Sequence, residues 1–126
     1  MKTSSPVVEK SVILDAVYNL LIKINIAFEK HYAQTFTYLL APTIHVDGGG
    51  RKYLRINRTE NGSNHKQTCV YFFVDLSTGD ILKPASYKTP ALNFARGNVL
   101  NDNALTKLTP YGVNDGPNNL QAILDS

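Results

Sequence analysis

Basic and aromatic residues cluster in the segment "GDILKPASYKTPALNFARGNVLND". Lys83 ends a predicted strand, Lys88 precedes a predicted helix start, and Arg96 falls on the last turn of that helix. Backbone N–H groups at a helix start, together with the hydroxyl of Ser86, would bind an anion. The lysines would add positive charge, and Tyr87 would stack on a base. The segment therefore predicts a site for a phosphate-bearing ligand.

A second pairing of an aromatic ring with a cation occurs in "RKYLRINR". Alternation along a strand places Leu54 and Ile56 towards the core, and Tyr53 and Arg55 on the outer face. Aromatic rings and cations interleaved on a sheet are typical of proteins that bind single-stranded nucleic acid. The predicted ligand-binding residues are Tyr53, Arg55, Lys83, Ser86, Tyr87, Lys88, Arg96 and Asn98.

A structural interpretation of the same residues stays open. Arg96 near a helix end would complement the helix dipole. Tyr87 would belong to the core, and the lysines would be solvated.

Catalytic and metal-binding patterns are weak. Cys69 falls inside a predicted central strand, which favours a small core residue over a nucleophile. His45 and Asp47 would share one strand face as two metal ligands, but a third ligand is not evident. No serine-hydrolase, zinc-protease or dinucleotide fingerprint occurs. We therefore expect no enzyme activity, no catalytic residue, no bound metal and no cofactor.

The positive charge is concentrated in the middle of the chain. Residues 51–96 hold eight basic residues against three acidic ones, a net charge of +5, while the whole chain of 126 residues carries +3. Such a field favours a polyanionic or phosphorylated partner. The single cysteine excludes an internal disulfide and suits a reducing compartment.

The pattern of elements predicts one α+β domain over residues 1–126. Apolar residues at helical spacing indicate a long helix over 6–33, with Ser5 as its cap. Three to four antiparallel strands follow, and "DGGG" before the second of them predicts a turn. Thr89 and Pro90 favour a short helix over 90–96, and another is expected over 117–124. Strand signals also cover 35–46.

The motifs "KYLRI", "VYFFVDLSTGDILKPASYKTPA", "ARGN" and "TPYGV" resemble those of a group of small uncharacterised proteins from phages and large viruses. The resemblance covers roughly residues 52–113. It implies a viral origin and a binding or structural role, but it brings no known activity. The predicted N-terminal helix falls outside it.

These observations predict a small viral, non-catalytic protein that recognises a phosphate-bearing ligand, foremost single-stranded nucleic acid. One alternative is an oligomer that sequesters a small nucleotide signal. Another is a structural protein of the virion or its assembly. We expect a homo-oligomer formed through the N-terminal helix, no membrane association, and a location in the host cytoplasm or the virion.

Overall fold

The computed structural model describes residues 9–36, 39–49, 51–61, 66–114 and 116–126. It is α+β, as predicted. Its elements in chain order are α1 (Lys10–Thr35), β1 (Thr43–Gly49), β2 (Tyr53–Asn61), β3 (Lys66–Asp75), β4 (Asp80–Leu82), β5 (Gly97–Asn98), a 3-10 helix (Ala104–Lys107), β6 (Leu108–Thr109), β7 (Gly112–Val113) and α2 (Leu120–Asp125).

Helix α1 confirms the predicted long helix, although the expected start at residues 5 and 6 lies outside the described residues. It continues two residues beyond the predicted end, to Thr35. Its buried side chains recur at helical spacing and pack on the sheet: Ile13, Val17, Leu20, Leu21, Ile24, Ala27 and Phe28. The strand predicted over 35–46 is wrong in its first part, because β1 starts only at Thr43.

By length and composition, α1 is also apolar enough to cross a membrane. In this fold, however, 39% of its most apolar window is buried inside the protein. Helices that pack one face on a protein core reach the same length and composition.

The main sheet has five antiparallel strands in the order β1-β2-β3-β4-β5, one more than the upper number predicted. A separate hairpin pairs β6 with β7. Strand β3 is central, as expected. Gly79 has φ +83° in the turn before β4, which confirms the predicted left-handed position.

The two faces of the sheet have different partners. Leu54 and Ile56 belong to the core around α1, as predicted from the alternation in β2. Arg55 therefore lies on the outer face, and its register partners continue that face through Phe73 to Leu82. Phe73 and Leu82 are buried although they lie outside the core cluster around α1.

Two register shifts interrupt the ladders. One lies between Val46 and Gly49 in β1, so strand β1 runs through the predicted "DGGG" turn as far as Gly49. The other lies at the Ile56–Asn57 step of β2, where β3 contributes one extra residue, Tyr71. Such bulges change the side-chain direction and increase the local twist.

The helix predicted over 90–96 is not present. The backbone N–H of Ala91 donates to the carbonyl of Lys83 at 2.7 Å, and that of Arg96 donates to Ile81 at 2.7 Å. Pro84 and Pro90 also form an isolated bridge. Two backbone donors of the segment thus bond to β4 and the residue after it instead of to carbonyls of a helix. Pairing at the sheet edge overrides the local helix signals.

The predicted C-terminal helix is confirmed as α2, which begins three residues later than expected. The side chain of Asn119 accepts from the Ala122 N–H at 2.9 Å and caps it. Leu120 and Ile123 are buried in the core shared with α1.

Candidate functional site

Asp47 and Arg55 form the centre of a polar cluster on the outer sheet face. Arg55 Nε donates to Asp47 Oδ2 at 3.0 Å, and the Tyr87 hydroxyl donates to the same oxygen at 3.2 Å. Asp47 reaches this position because it lies in the β1 bulge opposite Arg55. The cluster therefore links β1, β2 and the segment that follows β4.

Tyr87 is also in direct contact with the guanidinium of Arg55. The guanidinium carbon lies 4.5 Å from the ring centre, a cation–π distance. Arg55 Nη1 donates to the Tyr87 carbonyl at 3.4 Å. The ring remains 49% exposed, so one side of it is supported and much of the rest faces solvent.

Tyr53 and Lys88 extend this cluster. Tyr53 is two residues before Arg55 on the same strand face, and the Lys52 ammonium lies 5.5 Å from its ring centre. Lys88 is exposed and follows Tyr87 directly. We call Tyr53, Arg55, Tyr87 and Lys88 the outer patch.

The charged groups in this region are not equally available to a ligand. The hydrogen bond from Arg55 holds the pKa of Asp47 below its ordinary value, so the carboxylate stays ionised beside the guanidinium. Arg55 is therefore paired within the protein. The positive charge available to a ligand at the outer patch comes from Lys88, with Lys52 close by.

Ser86 forms a local turn instead of the expected anion site. Its Oγ accepts from the N–H groups of Lys88 at 3.3 Å and Thr89 at 3.2 Å, and it bonds to Thr89 Oγ1 at 2.9 Å. Because no helix starts at Pro90, the expected N–H groups of a helix start are absent there. Ser86 thus shapes the loop that carries Tyr87 and Lys88.

Lys83 lies apart from the outer patch. It is exposed and lines a cavity of about 330 Å³ together with Arg58, Tyr71 and Tyr111. Arg58 belongs to the α1 side, since its guanidinium lies 5.3 Å from the Phe28 ring centre and donates to the Tyr32 hydroxyl at 3.1 Å. The Arg58 charge is thus used inside the protein, where it also pairs with a glutamate.

Arg96 and Asn98 lie apart from both the outer patch and Lys83. Arg96 lies over the ring of Phe94 and lines a different cleft, which it shares with Lys107. Asn98 donates to the Thr78 carbonyl at 2.9 Å and accepts from the Leu100 N–H at 2.8 Å. Asn98 therefore joins β5 to the turn before β4. Of the eight expected site residues, the structure brings Arg55 and Tyr87 into direct contact. Tyr53 shares the strand face of Arg55, and Ser86 and Lys88 flank Tyr87 in the chain.

Sequence reasoning missed Asp47 and Phe94 and misplaced Cys69. Asp47 was considered only with His45, whose Nε2 instead lies 2.8 Å from Thr59 Oγ1. Cys69 is exposed, not in the core. Its neighbours Gln67 and Thr68 are exposed as well, because this end of β3 extends past the area that is covered. In the part of the chain that the structure describes, no three His, Cys, Asp or Glu residues form a metal-binding group.

A comparison with protein-family models matches residues 10–110 to a family of unknown function, DUF7717. The chain belongs to the DUF7717 family. The DUF7717 match begins at the first residue of α1 and includes the outer patch. Helix α1 is thus part of the family domain, whereas the motifs from "KYLRI" to "TPYGV" cover only the region that follows it. No curated protein and no solved structure matches the chain.

Proposed function

We propose that this DUF7717 protein binds single-stranded nucleic acid through its outer patch, without catalysis. The observation that carries the proposal is the half-exposed ring of Tyr87, held on the guanidinium of Arg55 and followed by the exposed Lys88. A ring that is already fixed loses little conformational freedom when a base stacks on it. Stacking of this kind is tolerant of sequence, because every base has a π-face.

Each member of the patch has a distinct role in this proposal. Tyr87 stacks on one base, and Lys88 contacts the neighbouring phosphate. Tyr53 lies on the same strand face and provides a second ring beside the Lys52 ammonium. Arg55 positions Tyr87, because its charge is already paired with Asp47. Such an open surface suits a strand that continues past the protein at both ends.

The resemblance to phage and large-virus proteins supports a viral origin within this proposal, with action in the host cytoplasm or the virion. The surroundings of His45 and His31 are structural. His45 bonds to a threonine, and His31 lies among the rings of Tyr32, Phe36 and Tyr111. These surroundings favour binding over catalysis.

Self-association through α1 belongs to the same proposal, and the partner is a second copy of the chain. Val12, Asn19, Ile22 and Ile26 recur at spacings of seven, three and four residues, and we call this side of the helix the α1 stripe. Its three apolar members are 47%, 60% and 51% exposed. A groove of about 520 Å³ runs beside it, between α1, residues 99–105 and α2.

The charges along the α1 stripe are complementary to those of an antiparallel second copy. Asp15 and Lys23 each lie four residues from Asn19, on opposite sides, and both are exposed. When two copies cross at Asn19 in antiparallel orientation, Asp15 of each meets Lys23 of the other. Val12 of each copy then contacts Ile26 of the other copy, so one arrangement provides both the apolar and the charged contacts.

Binding is tested by fluorescence anisotropy with a labelled oligothymidylate of about 15 nucleotides. We expect Tyr87→Ala to weaken binding by about 1–3 kcal/mol through the loss of one stacked base. Tyr111→Ala is the matched control, since Tyr111 is 69% exposed but packs near His31 on the α1 side. Equal loss in both variants, or no binding at low salt, would refute the outer patch as the site.

The phosphate contact is tested separately by salt dependence. Lys88→Gln should reduce the slope of log K against log salt by about 0.7, the value for one contact to a single strand. Lys10→Gln removes an exposed charge at the start of α1 and should leave the slope unchanged. A slope unaffected by Lys88→Gln would remove that lysine from the interface.

A further inference from the structure

The outer patch and helix α1 lie on opposite faces of the main sheet. Leu54 and Ile56 of β2 belong to the core around α1, whereas Arg55 lies between them in the strand and faces the other way. Tyr87 is held against Arg55 on that outer face. A strand bound at the outer patch is therefore separated from α1 by the full thickness of the sheet.

The α1 stripe faces away from the sheet. Ile24 is fully buried in the core, while Ile22 and Ile26, each two residues away from it, are more than half exposed. Because each residue turns an α-helix by about 100°, both side chains are rotated by about 160° from that of Ile24. The stripe thus points in nearly the opposite direction to the outer patch. A second copy bound at the stripe does not approach Tyr87 or Lys88.

Two copies that pair through their α1 stripes form four layers, in the order sheet, helix, helix, sheet. Packed helices have diameters of about 10–12 Å and axes about 8–10 Å apart, so the two sheets lie roughly 20–30 Å from each other. The antiparallel pairing has a two-fold axis near Asn19, which makes the two outer patches equivalent and turns them in opposite directions. One pair of chains then presents a binding surface on each of its two outer sides.

The flank of such a pair is acidic. Residues 97–126 hold one lysine against three aspartates, while residues 51–96 carry a net charge of +5. Asp102 lines the groove beside α1, and Asp125 belongs to α2 on the same side. A strand that ran from one patch to the other around this flank would leave a positive field for a negative one. The charge distribution therefore favours a separate strand on each patch.

We infer that a pair of these chains bridges two separate nucleic-acid strands, one held on each outer patch. Tyr87 and Lys88 of each copy contact one strand, and the two α1 helices join the copies. The inference rests on the proposed function and on pairing through the α1 stripe. It adds an activity that a single chain does not have, because the pair ties strands to one another whereas one chain only covers a strand.

Bridging is tested with an oligothymidylate of about 15 nucleotides, immobilised at low surface density, to which the whole chain and then a fluorescent strand of the same sequence are added. Thymidylate strands do not pair with each other, so capture of the second strand requires the protein. We expect the original chain to capture it. Ile22→Asp should bind the first strand with unchanged affinity in anisotropy and lower capture of the second at least tenfold. Tyr87→Ala should weaken both steps.

A charge exchange tests the antiparallel pair without a change to the outer patch. Asp15→Lys places lysines opposite each other, and Lys23→Asp places aspartates opposite each other, so each variant alone should lower capture by about fivefold or more. Mixed in equal amounts, the two variants form complementary pairs and should restore capture. Mixing does not repair a folding defect, so this rescue assigns the loss to the interface. Full capture by both single variants, or a loss that mixing does not restore, would overturn the antiparallel arrangement.

The outcomes distinguish this inference from the proposed function. Absence of single-strand binding in anisotropy at low salt would overturn both. Single-strand binding by a chain that remains monomeric, or by a pair that captures no second strand, would overturn bridging alone and leave the outer patch as a single-strand site. Capture that is unchanged in Ile22→Asp would place the contact between copies elsewhere and would also overturn the inference.

Discussion

The guanidinium of Arg55 lies 4.5 Å from the ring centre of Tyr87, a residue 32 positions later in the chain. Asp47 accepts from both residues and completes a contact between two strands and a loop. The loop that carries Tyr87 and Lys88 is held at its base by hydrogen bonds to Ile81 and Lys83. Its position over the sheet thus depends on a small number of polar contacts.

Asp47→Asn should loosen this loop without unfolding the sheet. The change removes the charge that pairs with Arg55 and weakens the acceptor of the Tyr87 hydroxyl. We expect faster amide hydrogen exchange over residues 85–91, with unchanged exchange in β3. Asp102→Asn is the control, since Asp102 is exposed in a loop away from the outer patch. Unchanged exchange over 85–91 would show that other contacts hold the loop.

The same contact should weaken in acid. The hydrogen bond from Arg55 lowers the pKa of Asp47 relative to its ordinary value of 3.8. A lowered pKa in the folded state stabilises it above the ordinary value, and this contribution is lost as pH falls through the folded-state pKa. Exchange over residues 85–91 should therefore rise as pH drops below about 4, relative to β3 as an internal reference. The Asp47→Asn variant should show no such rise.

The burial of His31 predicts a second pH dependence, that of folding stability near neutral pH. Burial lowers its pKa from the ordinary 6.5, and its Nε2 has no hydrogen-bond partner among the described residues. As pH falls through 6.5 the unfolded chain takes up a proton before the folded chain does, so stability declines. The urea midpoint should decrease between about pH 7.5 and pH 5.5. His31→Phe should reduce that decrease, and an identical decrease in both proteins would contradict the role of His31.

Ile22→Asp should abolish self-association through the α1 stripe. The substituted side chain is 60% exposed in the single chain, so the fold should remain intact while a charge enters the apolar contact. Light scattering coupled to size exclusion measures the mass. Leu92→Asp is the matched control, because Leu92 is 67% exposed but lies outside α1. A monomeric original chain would exclude the antiparallel pair.

Phe72 and Cys69 should respond very differently to truncation although both belong to β3. Phe72 is fully buried in the core around α1, so Phe72→Ala should decrease the free energy of unfolding by about 3–5 kcal/mol. Cys69 is exposed, so Cys69→Ala should change it by less than about 0.5 kcal/mol. Chemical denaturation measures both. Fast reaction of the Cys69 thiol with a thiol reagent in native buffer would support its position.

Sequence periodicity predicted the elements that bury one continuous face. The apolar spacing from Ile13 to Phe28 and the alternation around Leu54 and Ile56 were sufficient for α1 and β2. The strand pattern is robust because a shift of one residue would turn Leu54 and Ile56 away from the core. The exposure of Cys69 was not predictable in this way, since alternation does not reveal how far α1 covers the sheet.

The candidate site was only partly predictable, because long-range pairing determines it. Thr89 and Pro90 carry good local signals for a helix start, but the donors of Ala91 and Arg96 bond to the backbone at Lys83 and Ile81. Asp47 joins Arg55 only because of the bulge in β1. A bulge has no clear signature in a single sequence. The sequence alone could therefore not establish that Tyr87 and Arg55 lie on the same face of the sheet and contact each other.

A contact made by Asn25 of α1 bears on whether many copies of this protein aggregate. Its side chain donates to the Ile44 carbonyl at 2.9 Å and accepts from the Ile44 N–H at 2.9 Å. Those are outward-facing groups of β1, to which an additional strand would bind. At the opposite edge, β5 has only two residues. The Asn25 contact blocks one pairing position at the β1 edge and the β5 edge is short, so both features disfavour strand-to-strand aggregation at high concentration.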